Sequence, residues 1–145
     1  MLIEFARPSD LPEVLELLRG HGLPLAGVEQ VSHLVVARDA GRVVGAAALE
    51  LYADGALLRS VAVAPADQGQ RVGHRLTEAT LNAAREQGVD TVFLLTTTAE
   101  RFFPRFGFER ISRADVPASV QASVEFQSAC PASAAVMRTR LAGPA

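Results

Sequence analysis

The sequence predicts an α/β (α+β) fold in one domain, residues 1–145: a mixed, mostly antiparallel sheet of about seven strands flanked by helices. Three observations lead there. His33–Arg38, Arg42–Tyr52 and Leu57–Val63 read as strands joined by the short turns Asp39-Ala40-Gly41 and Ala53-Asp54-Gly55, which is an antiparallel meander. Leu57–Ala84 then reads as a strand, a Pro-containing turn, a polar Gly-bearing loop and a helix, followed by the strand Thr91–Leu95. Such a crossover sets the fifth strand parallel to the fourth. Finally, 145 residues with 49% apolar and 21% charged side chains suit one domain with a real core.

The elements follow in order. Leu2–Arg7 alternates as a first strand, and Asp10 and Glu13 are spaced as a capping box. The helix that follows carries Leu11, Val14, Leu15, Leu17 and Leu18 and stops near Gly20. His21–Gln30 reads as a loop. Val43–Leu49 is apolar on both faces, as in a covered central strand. Val72, Leu76, Ala79, Ala83 and Ala84 repeat at helical spacing, and Gln87-Gly88 ends that helix. Thr96-Thr97-Thr98 offers a cap for a helix over Ala99–Phe106, which Pro104 shortens or kinks by removing one hydrogen bond. Gly107–Ile111 is a strand, Asp115–Ala129 a helix with Val116, Val120 and Val124 on one side, and Ala134–Arg140 the last strand.

Composition excludes several classes. A net charge of −2 argues against a nucleic-acid footprint. No apolar run is long enough to span a bilayer and no basic-then-apolar leader opens the chain, so a cytoplasmic protein without a membrane partner is expected. All 14 basic residues are arginine, which rules out lysine Schiff-base chemistry and suits bidentate binding of oxyanions. The single cysteine, Cys130, excludes an internal disulfide and a cysteine-rich metal site, and His21, His33 and His74 lack metal-like spacing; no metal is expected.

The loop Gln68-Gly69-Gln70-Arg71-Val72-Gly73-His74-Arg75 runs straight into the long helix. Glycines let the backbone approach a ligand, and the first amides of a helix have no internal partner. Such a start favours an anion such as a pyrophosphate, with Arg71 and Arg75 adding positive charge. The bland reading is an ordinary strand-to-helix connection.

Strand, P-x-x-Q-G-x-x-x-G over Pro65–Gly73, helix resembles the GNAT acetyltransferases. In them this loop holds the pyrophosphate of acetyl-CoA, and Gln68 to Gly73 matches a Q/R-x-x-G-x-G/A signature. Arg71 stands where the family usually has its first glycine, and it serves there only if its backbone is not held at φ > 0. Ala99-Glu100-Arg101-Phe102-Phe103-Pro104-Arg105-Phe106-Gly107-Phe108 keeps the family's A-x-x-F-Y-x-K-x-G-F spacing, with Phe103 for tyrosine and Arg105 for lysine. The resemblance implies that the fourth and fifth strands splay, and that the backbone of Val61, Ala62 and Val63 pairs with pantetheine. It also places Phe103 beside the thioester, where tyrosine often protonates the departing thiolate. Phenylalanine cannot, but thiols with pKa values of about 8.5 yield tolerable leaving groups. His74 is a candidate phosphate contact.

Leu57-Leu58-Arg59-Ser60, Leu94–Ala99, Phe102–Phe108 and Cys130-Pro131-Ala132-Ser133-Ala134 further resemble the N-acetyltransferases of arsenic-resistance operons, themselves similar to the acetyltransferase domain of N-acetylglutamate synthase. The implied acceptor is a small amine, an amino acid or an amino-acid-like arsenical or phosphinate, and the implied assembly a homodimer through the last strands and the 115–129 helix. Glu50, the only acid in Arg42–Tyr52, is the expected base for the amine, the alternative being a solvated strand end. Arg59, in an apolar strand, needs a partner: Glu50, or an acidic group of the substrate. Cys130 reads as a buried structural cysteine. The rival function is a catalytically silent acyl-CoA-binding or sensing module.

Overall fold

The computed structural model describes residues 1–129 and 132–141; Cys130 and Pro131 lie outside them. The described strands are β1 (Leu2–Phe5), β2 (His33–Asp39), β3 (Arg42–Tyr52), β4 (Gly55–Val63), β5 (Thr91–Thr96), β6 (Glu109–Ile111) and β7 (Ala135–Arg140). They form one seven-stranded sheet in the order β1-β2-β3-β4-β5-β7-β6. Only β4 and β5 pair in parallel; the other ladders are antiparallel. This is the expected mixed architecture.

Both faces of the sheet are covered. Helix α2 (Val72–Glu86) lays Val72, Leu76, Leu81 and Ala84 on one face, against Val35, Leu49, Leu58 and Leu94. Full burial of a side chain such as Leu76 is worth roughly 2 kcal/mol. Gly45 permits this approach, because a Cβ there would lie 2.8 Å from Leu76 Cδ1. Helix α1 (Leu11–Gly20) lays Val14 and Leu18 on the other face, against Val36, Ala46 and Ala62. Strand β3 is therefore buried continuously from Val44 to Glu50, as its two-sided apolar pattern requires. A third cluster joins Leu57 and Phe93 to Val116, Val120 and Phe126.

Four local expectations need correction. The first strand ends at Phe5, and Pro8–Asp10 forms a 3-10 turn. Asp10 and Glu13 make no capping box: both Asp10 oxygens bind Arg38, at 3.0 and 2.8 Å, and Glu13 accepts from the Val43 amide at 3.1 Å. Ala99–Phe106 is not one helix. Thr96 Oγ1 caps the Ala99 amide as expected, but only Phe103–Phe106 coils, as a 3-10 turn with Pro104 inside it and Gly107 (φ 85°) closing it. The segment 115–129 is also broken, into a short helix α3 (Ala118–Gln121) and a π-helical turn over Glu125–Ala129. Pro117 holds extended backbone before α3, and Ser123 Oγ accepts from the Phe126 amide at the second break.

Arg38 reaches Asp10 with both Nη atoms and Glu4 with Nε, so it ties β2 to β1 and to the start of α1. The Arg38 hydrogen bonds, helped by the Arg7 amide, lower the Asp10 carboxyl from 3.8 to about 2. A pKa depressed on folding contributes stability that is present above 3.8 and is lost as pH falls through about 2. Asp10→Asn is thus expected to lower the urea midpoint at pH 7, and the gap from wild type should close as the pH is taken from 4 to 2.

Candidate functional site

Strands β4 and β5 pair only at Ala56 with Val92 and Leu57 with Phe93. Beyond those pairs they part, as expected of the splay, and Leu58–Val63 has no strand beside it on that edge. Toward β3 the ladder steps from Ala46–Ala62 to Ala48–Arg59. Ala47 therefore faces two residues, Ser60 and Val61: a β-bulge, with Ser60 at φ 60°. A cavity of about 560 Å³ fills the gap. Its walls are Leu58–Val63 of β4, Leu94–Thr96 of β5 and the capped turn to Ala99. Phe102 and Phe103 line it too, edge to face at 5.0 Å.

The cavity's outer end meets the N-terminus of α2. Gln68 lines it and donates from Nε2 to Val63 O at 3.0 Å. Gly73 also lines it; a Cβ there would lie 3.5 Å from Phe102 Cζ and 3.6 Å from Val63 Cγ2. Arg71 caps the helix in the left-handed region, φ 63° and ψ 19°, so the condition that its backbone avoid positive φ is not met. Gly69, also left-handed at φ 85°, supplies the loop's other tight bend. Gly69, Arg71, His74, Arg101, Phe102 and Arg105 line a neighbouring open hollow. His74 Nε2 lies 2.9 Å from Glu78 Oε1, and its ring tilts on Phe106 at 4.9 Å. Gln70 and Arg75 are exposed, whereas the Val72 and Ala62 side chains sit in the two cores.

The inner end is charged. The Arg59 side chain is fully buried. It donates from Nη1 to Glu50 Oε2 at 3.3 Å, from Nη2 to Pro24 O at 3.2 Å and from Nε to Ser60 Oγ at 3.1 Å. Its Nε also lies 3.7 Å from Glu125 Oε2. Glu50 additionally accepts from the Tyr52 hydroxyl at 2.7 Å. Burial first, and then the Glu50 carboxylate, hold the Tyr52 phenol well above its usual range, so it stays a donor. The expected partnership of Arg59 with Glu50 is present. Arg59 and Glu125 line the cavity; Glu50 does not.

Sequence reasoning missed two residues of this wall. In the sequence Glu125 reads as one residue of a regular helix, and the π-helical turn that carries it leaves no signature in apolar spacing. His21 reads as part of a plain loop. It follows α1 directly, lines the cavity, and sets its ring nitrogens 2.9 Å from Leu17 O and 2.8 Å from Val63 O. A neutral imidazole donates from one nitrogen only, so both contacts are hydrogen bonds when the ring is protonated. Among the described residues no three His, Cys, Asp or Glu side chains cluster as metal ligands, and no helix is long and apolar enough to cross a membrane.

A sequence profile described as "Acetyltransferase (GNAT) domain" matches residues 30–110. An amino-acid acetyltransferase of Mycobacterium tuberculosis is 34% identical over 130 residues, covering 82% of this chain and 74% of the relative. The crystal structure of Rv2747 from the same organism, in complex with CoA and a second ligand, superposes with a TM-score of 0.83 at 29% identity, over 98% of this chain and 100% of that one. N-acetylglutamate synthase from Neisseria gonorrhoeae, complexed with coenzyme A and N-acetyl-glutamate, shares the fold at TM-score 0.82 and 23% identity; this chain spans 36% of its length.

A left-handed backbone costs a non-glycine residue about 1 kcal/mol. Arg71→Gly is expected to recover part of that, raising the thermal midpoint by a few degrees. A lowered midpoint in a calorimetric scan would mean that the arginine side chain holds the loop by more than the backbone costs.

Proposed function

The chain belongs to the GNAT acetyltransferase family, and on that premise we propose that it acetylates the amine of an amino acid or amino-acid-like molecule. It is an acetyl-CoA-dependent N-acetyltransferase. The observation that carries the assignment of the site is the opened edge of β4 leading to the N-terminus of α2 across one cavity. An extended chain bearing amides fits the first part, and an anion fits the second.

In this reading the main chain of Val61–Val63 pairs with the pantetheine amides of acetyl-CoA, and one β4 amide polarises the thioester carbonyl. The pyrophosphate rests on the turn from Gln68 to Arg75, with Gly69 and Gly73 leaving room for it. Gln70 and Val72 contribute through main chain, and His74 and Arg75 face it with donor or cationic groups; Arg71, whose left-handed backbone does not meet the condition for the glycine position, adds only its side-chain charge. Gln68 exchanges its bond to Val63 O for one to the coenzyme. Phe103 bounds the thioester without donating to it. The acceptor occupies the inner end, beside Arg59, and a carboxylate of the Glu50–Arg59–Glu125 cluster receives its proton. Ternary-complex attack follows, since both substrates share one cavity.

Within the family we place the chain beside the arsenic-resistance acetyltransferases, on the runs Leu57–Ser60, Leu94–Ala99 and Phe102–Phe108. The acceptors to be tried then include phosphinate and arsenical analogues of amino acids. The same reading takes 1–145 as one domain of a cytoplasmic homodimer.

Thiol release from acetyl-CoA with a panel of the twenty L-amino acids and these analogues tests the proposal. Turnover on at least one of them is expected, and turnover on none overturns it. Gly73→Val, which sets branched carbon between Phe102 and Val63, is expected to weaken acetyl-CoA binding at least tenfold in calorimetry with the melting curve retained.

A further inference from the structure

We propose that Glu125 is a catalytic residue: it receives the ammonium group of the acceptor and takes its proton. The inference rests on the reading above and names the group at its inner end. Glu125 is the only carboxylate among the described residues that line the cavity. Its side chain is 4% exposed and that of Arg59 fully buried, so water screens neither strongly. Glu50, by contrast, spends one oxygen on Tyr52 and the other on Arg59, and is not among the residues that line the cavity. It is a positioning residue, holding the guanidinium in place.

Charge favours the same assignment. One guanidinium, Arg59, faces two carboxylates, Glu50 and Glu125. Counted by themselves, these three groups, when ionised, carry one excess negative charge in a dry place, an unfavourable state. An ammonium ion removes the excess. So does a proton on Glu125 with a neutral amine beside it. The cluster is therefore matched to the acceptor both before and after the transfer. Among the described residues, the ionisable groups of the neighbouring elements are Tyr52, a phenol bound to Glu50, His21, bound to Leu17 O and Val63 O, and Arg113, 5.3 Å from the Phe126 ring. Placement comes from the π-helical turn, which Phe126 anchors in the third core cluster against Leu57 and Phe93. Inserted turns of this kind recur at functional sites.

The step balances as follows. The acceptor arrives as R–NH3+, and the Glu125 carboxylate takes one of its protons. The freed nitrogen pair forms a bond to the thioester carbonyl carbon, the carbon–sulfur bond breaks, and sulfur leaves as thiolate with the two electrons of that broken bond. The new N-acetyl group loses its surplus proton to the thiolate, and Glu125 returns its own to water once the product leaves.

The test is the pH dependence of kcat and KM for wild type, Glu125→Gln, Glu125→Asp and Glu50→Gln, with whichever L-amino acid turns over fastest in wild type. Calorimetry with acetyl-CoA runs alongside. Expected for Glu125→Gln is a kcat at least about 100-fold lower near neutral pH, with acetyl-CoA affinity unchanged. Its rate should climb about tenfold per pH unit, following the fraction of acceptor already neutral, because the proton must now be lost to water. A purely structural role would lower the wild-type profile evenly and is overturning. Should Glu125→Gln fail to fold, Glu125→Asp decides: a reduced kcat with acceptor KM and acetyl-CoA affinity unchanged supports the proposal, and a full rate, or a loss of either affinity, overturns it. If Glu50→Gln instead acquires the steep pH dependence while Glu125→Gln keeps the wild-type rate, the proton acceptor is Glu50 and this inference falls, with acetyl transfer intact. No turnover in wild type overturns the functional reading and this step with it.

Discussion

The site exists because a parallel ladder stops early. Strands β4 and β5 share two residue pairs and then separate, although β4 runs on for six more residues. Continued pairing would add strand hydrogen bonds along Leu58–Val63, where Val63 O accepts from Gln68 instead; a buried backbone group left without a partner costs on the order of 1–3 kcal/mol. Three things hold the strands apart against that cost. The bulge at Ser60 and Val61 sharpens the bend of β4. Phe102 and Phe103 stand in the gap, packed edge to face. The β5 side is committed to β7 through six continuous pairs from Thr91 to Thr96. An extended molecule with amides of its own is the natural partner for an edge left open in this way.

A second constraint lies at the closed end of the gap. Burying a guanidinium costs several kcal/mol, which only close anions and full hydrogen bonding offset. Arg59 has both, from Glu50, Ser60, Pro24 and Glu125, and those partners come from β3, β4, the loop after α1 and the turn after α3. One buried cation thus gathers four separate segments around the acceptor end. Its neutralisation by two acids leaves it poorly suited to attract a further carboxylate from a substrate, while it remains able to orient one of those acids.

Much of this was readable in the sequence, for identifiable reasons. The meander, the crossover and the two-faced central strand follow from periodicity and turn chemistry, which act over a few residues. The glycine loop and the Arg59–Glu50 contact followed because each lies within one short stretch or between adjacent strands; the splayed pair followed from the family resemblance. What escaped depended on distant partners. Asp10 looks like a cap until Arg38, which is 28 positions away, claims both its oxygens. His21 reaches Val63 across 42 positions. Glu125 reads as one more residue of a helix, because nothing in apolar spacing announces that the coil will break at Ser123 and widen. Arg71 is the opposite case: the sequence marks the position as one for glycine, and the fold keeps the left-handed backbone with an arginine in it.

Phe103 gives the cavity wall an aromatic ring without a hydroxyl, edge-on to Phe102 and Phe108, at the place where the proposed reading sets the thioester. Tyr52 cannot replace the missing donor, since its hydroxyl is directed to Glu50 and it is not part of the cavity wall. In the proposed reaction thiolate departure is left to its own modest basicity and to the hydroxyls of Thr96, Thr97 and Thr98, which line the same cavity. Arg59 and Glu125 stand together in the wall, which His21 also lines. On that reading catalytic effort is concentrated on making the nucleophile rather than on assisting the leaving group. For a thioester that is a sensible division: a thiol gives up its proton near neutral pH, whereas an alkyl ammonium holds its proton with a pKa near that of lysine, about 10.4, and needs a base to release it.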